Sequence, residues 1–177
     1  MEEIEVPTEH LSEQIKEGAE EIKEKWSTYA AISTAFMAVF AALGSLTAGH
    51  HSNEALIEQI KASDQWSYYQ AKGIKAEIAQ SIVLQHQVAN AEPPAGIKEK
   101  QVKYKADQEE IMKKAHEAEE DSQLHLKRHV TIAQSVTLFQ IAISISAIAM
   151  LTRKRFLWYF SLVLSVIGAV LFFLGNF

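Results

Sequence analysis

The sequence predicts an all-α protein with three transmembrane helices and a long antiparallel helical hairpin, of coiled-coil type, between the first two. Three observations lead to this fold class. Residues 29–49, 130–151 and 156–175 form apolar blocks that contain no Lys, Arg, Asp, Glu or His. Each block reaches the roughly 20 residues that a helix needs to cross a hydrocarbon core. Residues 50–129 are polar, lack the alternating pattern of a strand and contain one proline cluster.

Composition excludes several classes of function. The 177 residues contain no cysteine, so disulfides, thiol catalysis and thiolate metal sites are ruled out. The net charge is −5 and no basic patch is interleaved with aromatics, so a nucleic-acid partner is not expected. Nucleophile-elbow, zinc-protease and phosphate-loop motifs are missing, and the apolar blocks hold no ionisable residue. We therefore expect neither an enzyme nor a proton-coupled transporter, and no cofactor.

Residues 1–28 are predicted to form an acidic amphipathic helix. Along one face, apolar residues recur at intervals of three or four: Leu11, Ile15, Ala19, Ile22 and Trp26. The opposite face is almost entirely Glu and Lys. This stripe indicates either packing against another copy of the chain or a solvated surface helix, and both interpretations stay open. Because a polar segment precedes residues 29–49, that block is expected to be a signal anchor rather than a cleaved signal peptide.

The charges that flank the apolar blocks predict an orientation. The Thr152–Arg155 turn, TRKR, joins the second and third blocks, and short basic loops stay on the cytoplasmic side. This places the N-terminus in the cytoplasm and both the hairpin and the C-terminus on the other side. Lys127 and Arg128, just before the second block, oppose this orientation, although long loops are often translocated whatever their charge.

Residues 50–129 are predicted to be a helical hairpin with its turn near residues 92–96, where the sequence reads EPPAG. On the first arm, large apolar residues keep to one stripe: Leu56, Ile60, Ile74, Ile78 and Ile82. On the second arm, apolar residues recur at heptad spacing: Ile97, Tyr104, Ile111 and Ala118. So thin a seam buries little apolar surface. We therefore expect part of the apolar and aromatic surface to meet a neighbouring subunit.

The segment SDQWSYYQAKGIK, residues 63–75, is the strongest candidate for that interface. Tyr68 and Tyr69 point about 100° apart on a helix, so one partner helix cannot cover both. One aromatic face is then expected to close the hairpin and another to contact a second subunit. The alternative is one core aromatic with two half-exposed tyrosines. The candidate hairpin or oligomer interface comprises Trp66, Tyr68, Tyr69, Gln70, Ile74, Ile78 and Tyr104.

Two further sets of polar residues are candidates for function. Thr137, Gln140 and Ser144 share a face of the second apolar block, where amide and hydroxyl groups need partners; helix–helix hydrogen bonding is favoured over the lining of a lumen. His50, His51, His125 and His129 would meet at one end of the hairpin and could bind a divalent metal or respond to pH.

The run ASDQWSYYQAKGIK, Ala62 to Lys75, together with Glu54-Ala55-Leu56, resembles the signature of a bacterial membrane family described as domain of unknown function 4337. The similarity covers most of the chain from about Trp26, and Gly73 stands where the family pattern has Ser. The resemblance supports the same three-span topology and implies a bacterial cell membrane, that is, the inner membrane. With the orientation predicted from the flanking charges, the hairpin and the C-terminus would lie in the periplasm. It implies no activity, cofactor or catalytic residue.

Together these features predict a non-enzymatic membrane protein that forms a homo-oligomeric scaffold with projecting hairpins. The alternatives are a channel or conduit formed by the oligomer, and a metal- or pH-responsive accessory protein. The expected partners are other copies of the chain and the lipid bilayer, with room for a different protein as a further partner.

Overall fold

The computed structural model of the chain describes the backbone of residues 8–177 and the side chains of residues 25–177. It contains three helices: α1 (Thr8–Val88), α2 (Ile97–Thr152) and α3 (Arg155–Asn176). The described residues contain no strand, which confirms the predicted all-helical class. All three helices are long and apolar enough in part to cross a membrane. The amphipathic stripe predicted for residues 1–28 falls almost wholly outside the described side chains.

The first two helices end through backbone geometry that their sequences allow. After Val88, Asn90 adopts a left-handed φ of 49°, and the Ala91 N–H donates to the carbonyl of His86. The same arrangement closes α2, where Arg153 has a φ of 56° and the Lys154 N–H donates to Ala149. Both ends are therefore Schellman-type caps, which satisfy carbonyls that the helix leaves unpaired.

The chain forms two compact units, and each is described by itself. The first contains Ala48–Val130, and the second contains the residues before Ala48 together with Thr131–Phe177. The second unit includes all of α3. It is a three-helix unit built around a small apolar core of Met37, Ala41, Phe139 and Ala142, against which Phe40 and Phe172 pack.

Small residues let the helices of the three-helix unit approach closely. A Cβ added at Gly44 would lie 2.7 Å from a Val136 methyl carbon, and one at Gly175 would lie 2.6 Å from Ile132 Cγ1. Polar contacts join the same helices: the Thr34 and Ser146 hydroxyls lie 2.7 Å apart. Residues buried on α1 follow spacings of three and four, so Ala30 is buried whereas Ala38 and Ala42, at strict fours from it, are exposed.

In the unit of residues 48–130, α1 and α2 meet along a seam lined by small side chains. The Ser122 hydroxyl donates to the Ala55 carbonyl at 2.8 Å, and Ala48 accepts from His129 at 2.8 Å. Ile111 and Ala118, which the heptad spacing singled out, are buried. On α1, by contrast, the buried residues are mostly alanines: Ala48, Ala55, Ala62, Ala76, Ala79 and Val83.

Candidate functional site

Trp66 belongs to the contact between α1 and α2 within a single chain. Its indole Nε1–H donates to Glu119 Oε1 at 2.8 Å. The other carboxylate oxygen of Glu119 lies 3.2 Å from His116 Nδ1. The Trp66 ring meets the rings of Tyr69 and His116 edge-on, with centroids 5.6 and 5.1 Å away. The half-buried tryptophan therefore makes polar and aromatic contacts with α2 of its own chain.

Tyr68 and Tyr104 flank an ion pair that joins the two helices. Lys72 Nζ donates to Asp107 Oδ2 at 2.6 Å and lies 5.3 Å from the Tyr68 ring and 5.4 Å from the Tyr104 ring. The hydrogen bond to Asp107, followed by that to Tyr68, raises the pKa of Lys72. The same bond lowers the pKa of Asp107. Both side chains therefore stay charged over a widened pH range.

A second polar contact depends on Gly73. The Gln108 amide donates to the Tyr69 carbonyl at 3.2 Å. A Cβ at residue 73 would lie 2.7 Å from Gln108 Nε2, so glycine leaves room for this amide to reach the neighbouring backbone. Tyr69 is half-buried here, whereas Gln70 is exposed. The aromatic segment thus supplies polar and aromatic contacts along the seam.

The large apolar side chains of α1 lie on the face turned away from this seam. Leu56, Ile60, Ile74 and Ile78 keep 60%, 61%, 59% and 55% of their surface exposed. Ile57 and Ala71 are also exposed on this side, and we call these six residues the outer face of α1. Exposed positions on α2 are instead rich in charge, for example Glu109, Glu110, Lys113, Glu117 and Glu120.

The stripe of large apolar residues on α1 is therefore not the surface that packs against α2, because alanines form that surface. Small side chains let two helices approach closely, and the large ones are then excluded from the interface. The sequence does carry a signal for this arrangement, since Ala48, Ala55 and Ala62 recur every seven residues and Ala76 continues the series. Ile74 and Ile78 are thus more than half exposed and available to another partner, although Ile78 also lines a groove with Ile97 and Tyr104 of α2.

The four candidate histidines do not form the predicted metal site. Their unit does bring two rings together, since His51 Nδ1 and His125 Nδ1 lie 3.0 Å apart. His129 turns its Nδ1 toward the Ala48 carbonyl instead, and the exposed His50 ring lies 5.5 Å from that of His51. Among the described residues, no three His, Cys, Asp or Glu side chains are grouped as a metal ion would require.

Burial and the neighbouring His125 ring predict that His51 makes the unit sensitive to acid. Burial, then the charges of His125, His50, Arg128 and His129, lower the pKa of His51. A lowered pKa in the folded state means that the unfolded chain binds protons more readily. The contribution of His51 to stability is therefore fully present above the ordinary histidine pKa of about 6.5 and is lost as the pH falls below it.

We accordingly expect the melting temperature of the purified protein to fall between pH 7.5 and pH 5. His125→Gln should flatten this dependence, because it removes the ring that faces His51. His86→Gln is the matched control, since among the described residues the His86 ring hydrogen-bonds only to the Ile82 carbonyl of its own helix, at 2.8 Å. Circular dichroism in detergent across this pH range checks the expectation. An unchanged pH profile in the His125→Gln protein would show that the pair does not control acid stability.

The predicted polar face of α2 is exposed on the three-helix unit. The hydroxyls of Thr137 and Ser144 donate to carbonyls of their own helix, those of Ala133 and Gln140, at 3.0 and 2.9 Å. The Gln140 amide is exposed, and its side chain makes no hydrogen bond to any described residue. The three residues therefore share one accessible surface with one unpaired amide.

These features define a class: an all-α protein of three long helices, each apolar enough in part to cross a membrane, with a polar paired segment in addition. The family model described as Domain of unknown function (DUF4337) matches residues 26–177. The chain therefore belongs to the DUF4337 family, as its sequence predicted. No curated protein matches the chain, and no solved structure does so.

Proposed function

We propose that this protein is a non-enzymatic, multi-pass protein of a bacterial inner membrane whose copies assemble into a structural scaffold. Residues 29–49, 130–151 and 156–175 cross the bilayer in this proposal. The apolar residues exposed on the three-helix unit support it, since side chains such as Phe36, Leu46 and Val166 are 63%, 74% and 63% exposed. Contact with hydrocarbon costs such an apolar surface no free energy, whereas its exposure to water is unfavourable.

The second element of the proposal is an antiparallel hairpin that projects from the membrane. The contacts between α1 and α2 support the antiparallel order of the two helices. Ala48 contacts His129, Ala55 contacts Ser122 and Lys72 contacts Asp107. Later residues of one helix thus meet earlier residues of the other. The N-terminus is assigned to the cytoplasm, and the hairpin and C-terminus to the periplasm, on the basis of the basic turn at residues 152–155.

The observation that carries the scaffold proposal is the outer face of α1. Four of its branched side chains are more than half exposed, while the seam behind them is built from alanine. Covering such side chains contributes about 1–2 kcal/mol each. A second copy is the occupant that we propose, because the face is apolar with charges of both signs beside it, Lys75 and Glu77. Two identical faces can therefore cover one another without a net repulsion.

Cysteine cross-linking in isolated membranes tests this contact, and the natural chain contributes no cysteine of its own. We expect Ile78→Cys to give a covalent dimer on mild oxidation. Val102→Cys is the control, because Val102 is more accessible than Ile78, 68% against 55% exposed, but lies on the charged part of α2. A dimer yield from Ile78→Cys no greater than that from Val102→Cys would refute the proposed contact.

A further inference from the structure

Gln140 lies near the middle of an apolar segment and has no partner for its amide. The residue is exposed on the three-helix unit, and no described residue bonds to its side chain. Thr137 and Ser144, one turn away on either side, already use their hydroxyl protons on carbonyls of α2. They cannot donate to the amide as well. In the part of the chain that the structure describes, no group donates to the Gln140 oxygen and none accepts from its two N–H groups, so a partner outside the chain would satisfy both.

The depth of Gln140 within its apolar segment makes unpaired amide groups costly in free energy. It lies close to the midpoint of residues 130–151, and at a rise of ~1.5 Å per residue its amide is roughly 15 Å from either end of that segment. A glutamine side chain is too short to reach the headgroups over that distance. An unsatisfied polar group in hydrocarbon costs several kcal/mol, so lipid alone is an unfavourable neighbour for this side chain.

We propose that this surface of α2, comprising Thr137, Gln140 and Ser144, docks against the same surface of a second copy of the chain. The two Gln140 amides bond reciprocally, each donating an N–H to the oxygen of the other. A copy related by a two-fold axis along the membrane normal presents the same amide at the same depth, so chemistry and position are both self-complementary. Small neighbours allow the helices to approach closely: Ala133, Thr137, Ser144 and Ala147.

This inference rests on the proposed function in one respect, since it requires α2 to cross a membrane. It does not depend on the outer face of α1. The two contacts use different helices in different units of the chain, so one can fail while the other holds. With both present, each copy has two separate surfaces for neighbours, and an assembly can extend beyond a pair.

The test uses Ser144→Cys in otherwise cysteine-free membranes. Oxidation is expected to give a covalent dimer, and adding Gln140→Leu should lower its yield roughly fivefold or more, because the substitution removes both reciprocal hydrogen bonds of the pair. Val39→Cys and Val166→Cys are depth-matched controls, because both residues are exposed near the middle of other apolar segments. They should give little dimer. Gln140→Leu should leave the melting temperature of the single chain unchanged, because the side chain is exposed.

Two results would overturn the inference. One is a Ser144→Cys dimer yield that stays the same when Gln140→Leu is added, or that is no greater than the yield of the Val39→Cys control. The other is rapid labelling of Ser144→Cys by a membrane-impermeant thiol reagent, which would place this surface in a water-filled lumen. An Ile78→Cys dimer that persists in either case would leave the α1 contact standing. Its absence beside a Gln140-dependent Ser144→Cys dimer would refute only the α1 contact.

Discussion

Replacing Ile74 and Ile78 together by aspartate is expected to break the assembly while leaving each chain folded. The two side chains are 59% and 55% exposed on the outer face of α1 and are not among the buried residues that face α2. In a contact between copies they would be covered, which contributes about 1–2 kcal/mol for each, and uncompensated carboxylates there would add a desolvation cost. The particle should shrink to no more than a pair of chains held through the membrane helices.

Size-exclusion chromatography with light scattering measures this change, and circular dichroism verifies that the helices persist. Val102→Asp is the matched control, since it adds a carboxylate at an exposed apolar residue of α2. The control should keep the mass of the natural protein. An Ile74→Asp, Ile78→Asp particle as large as the natural one would show that the outer face of α1 is not an interface.

Gly44→Ala is expected to destabilise the three-helix unit by about 1–3 kcal/mol, the usual cost of overpacking. The added Cβ would lie 2.7 Å from Val136 Cγ2 and 3.6 Å from the Phe172 ring. Valine is β-branched and stiff at χ1, so its methyl group cannot turn aside cheaply. The backbones of α1 and α2 must then move apart, which loosens the contacts of the neighbouring Ala41–Phe139 core.

Gly49→Ala provides the comparison, because a Cβ at that position meets no atom within 4 Å. It removes a glycine from the interior of α1, so its melting temperature should equal or exceed that of the natural protein. Thermal unfolding in detergent measures both variants side by side. Equal melting temperatures for Gly44→Ala and Gly49→Ala would mean that the close approach at Gly44 does not limit stability.

The helical class and the apolar segments follow directly from the sequence, because length and uncharged composition decide whether a helix can cross a membrane. Which face of α1 lies against α2 was harder to predict. Leu56, Ile60, Ile74 and Ile78 form the most apolar stripe of this segment, and large apolar residues usually gain most from burial. The chain buries alanine instead, since small residues every seven positions allow a closer approach. Their regular spacing, rather than their hydrophobicity, was the informative signal.

The histidines and the aromatic segment, residues 63–75, show a second limit of prediction from sequence spacing. Sequence spacing predicts that His51 and His125 lie close together, and their Nδ1 atoms are 3.0 Å apart. Spacing does not reveal which way a ring nitrogen points, however, and His129 turns its own toward a backbone carbonyl. The same holds for Trp66, whose bond to Glu119 depends on side-chain reach across two helices. Contacts of this kind depend on the relative position of the two helices along their axes, which periodicity alone leaves open.

The mass of the detergent-solubilised natural protein, determined by native mass spectrometry, tests the central proposal most directly. The scaffold proposal predicts one discrete species at an integer multiple, greater than one, of the 19.8 kDa chain. A particle of single chains in mild detergent, across the concentrations at which the protein is stable, would contradict it. The outer face of α1 would then have to be covered by a different protein.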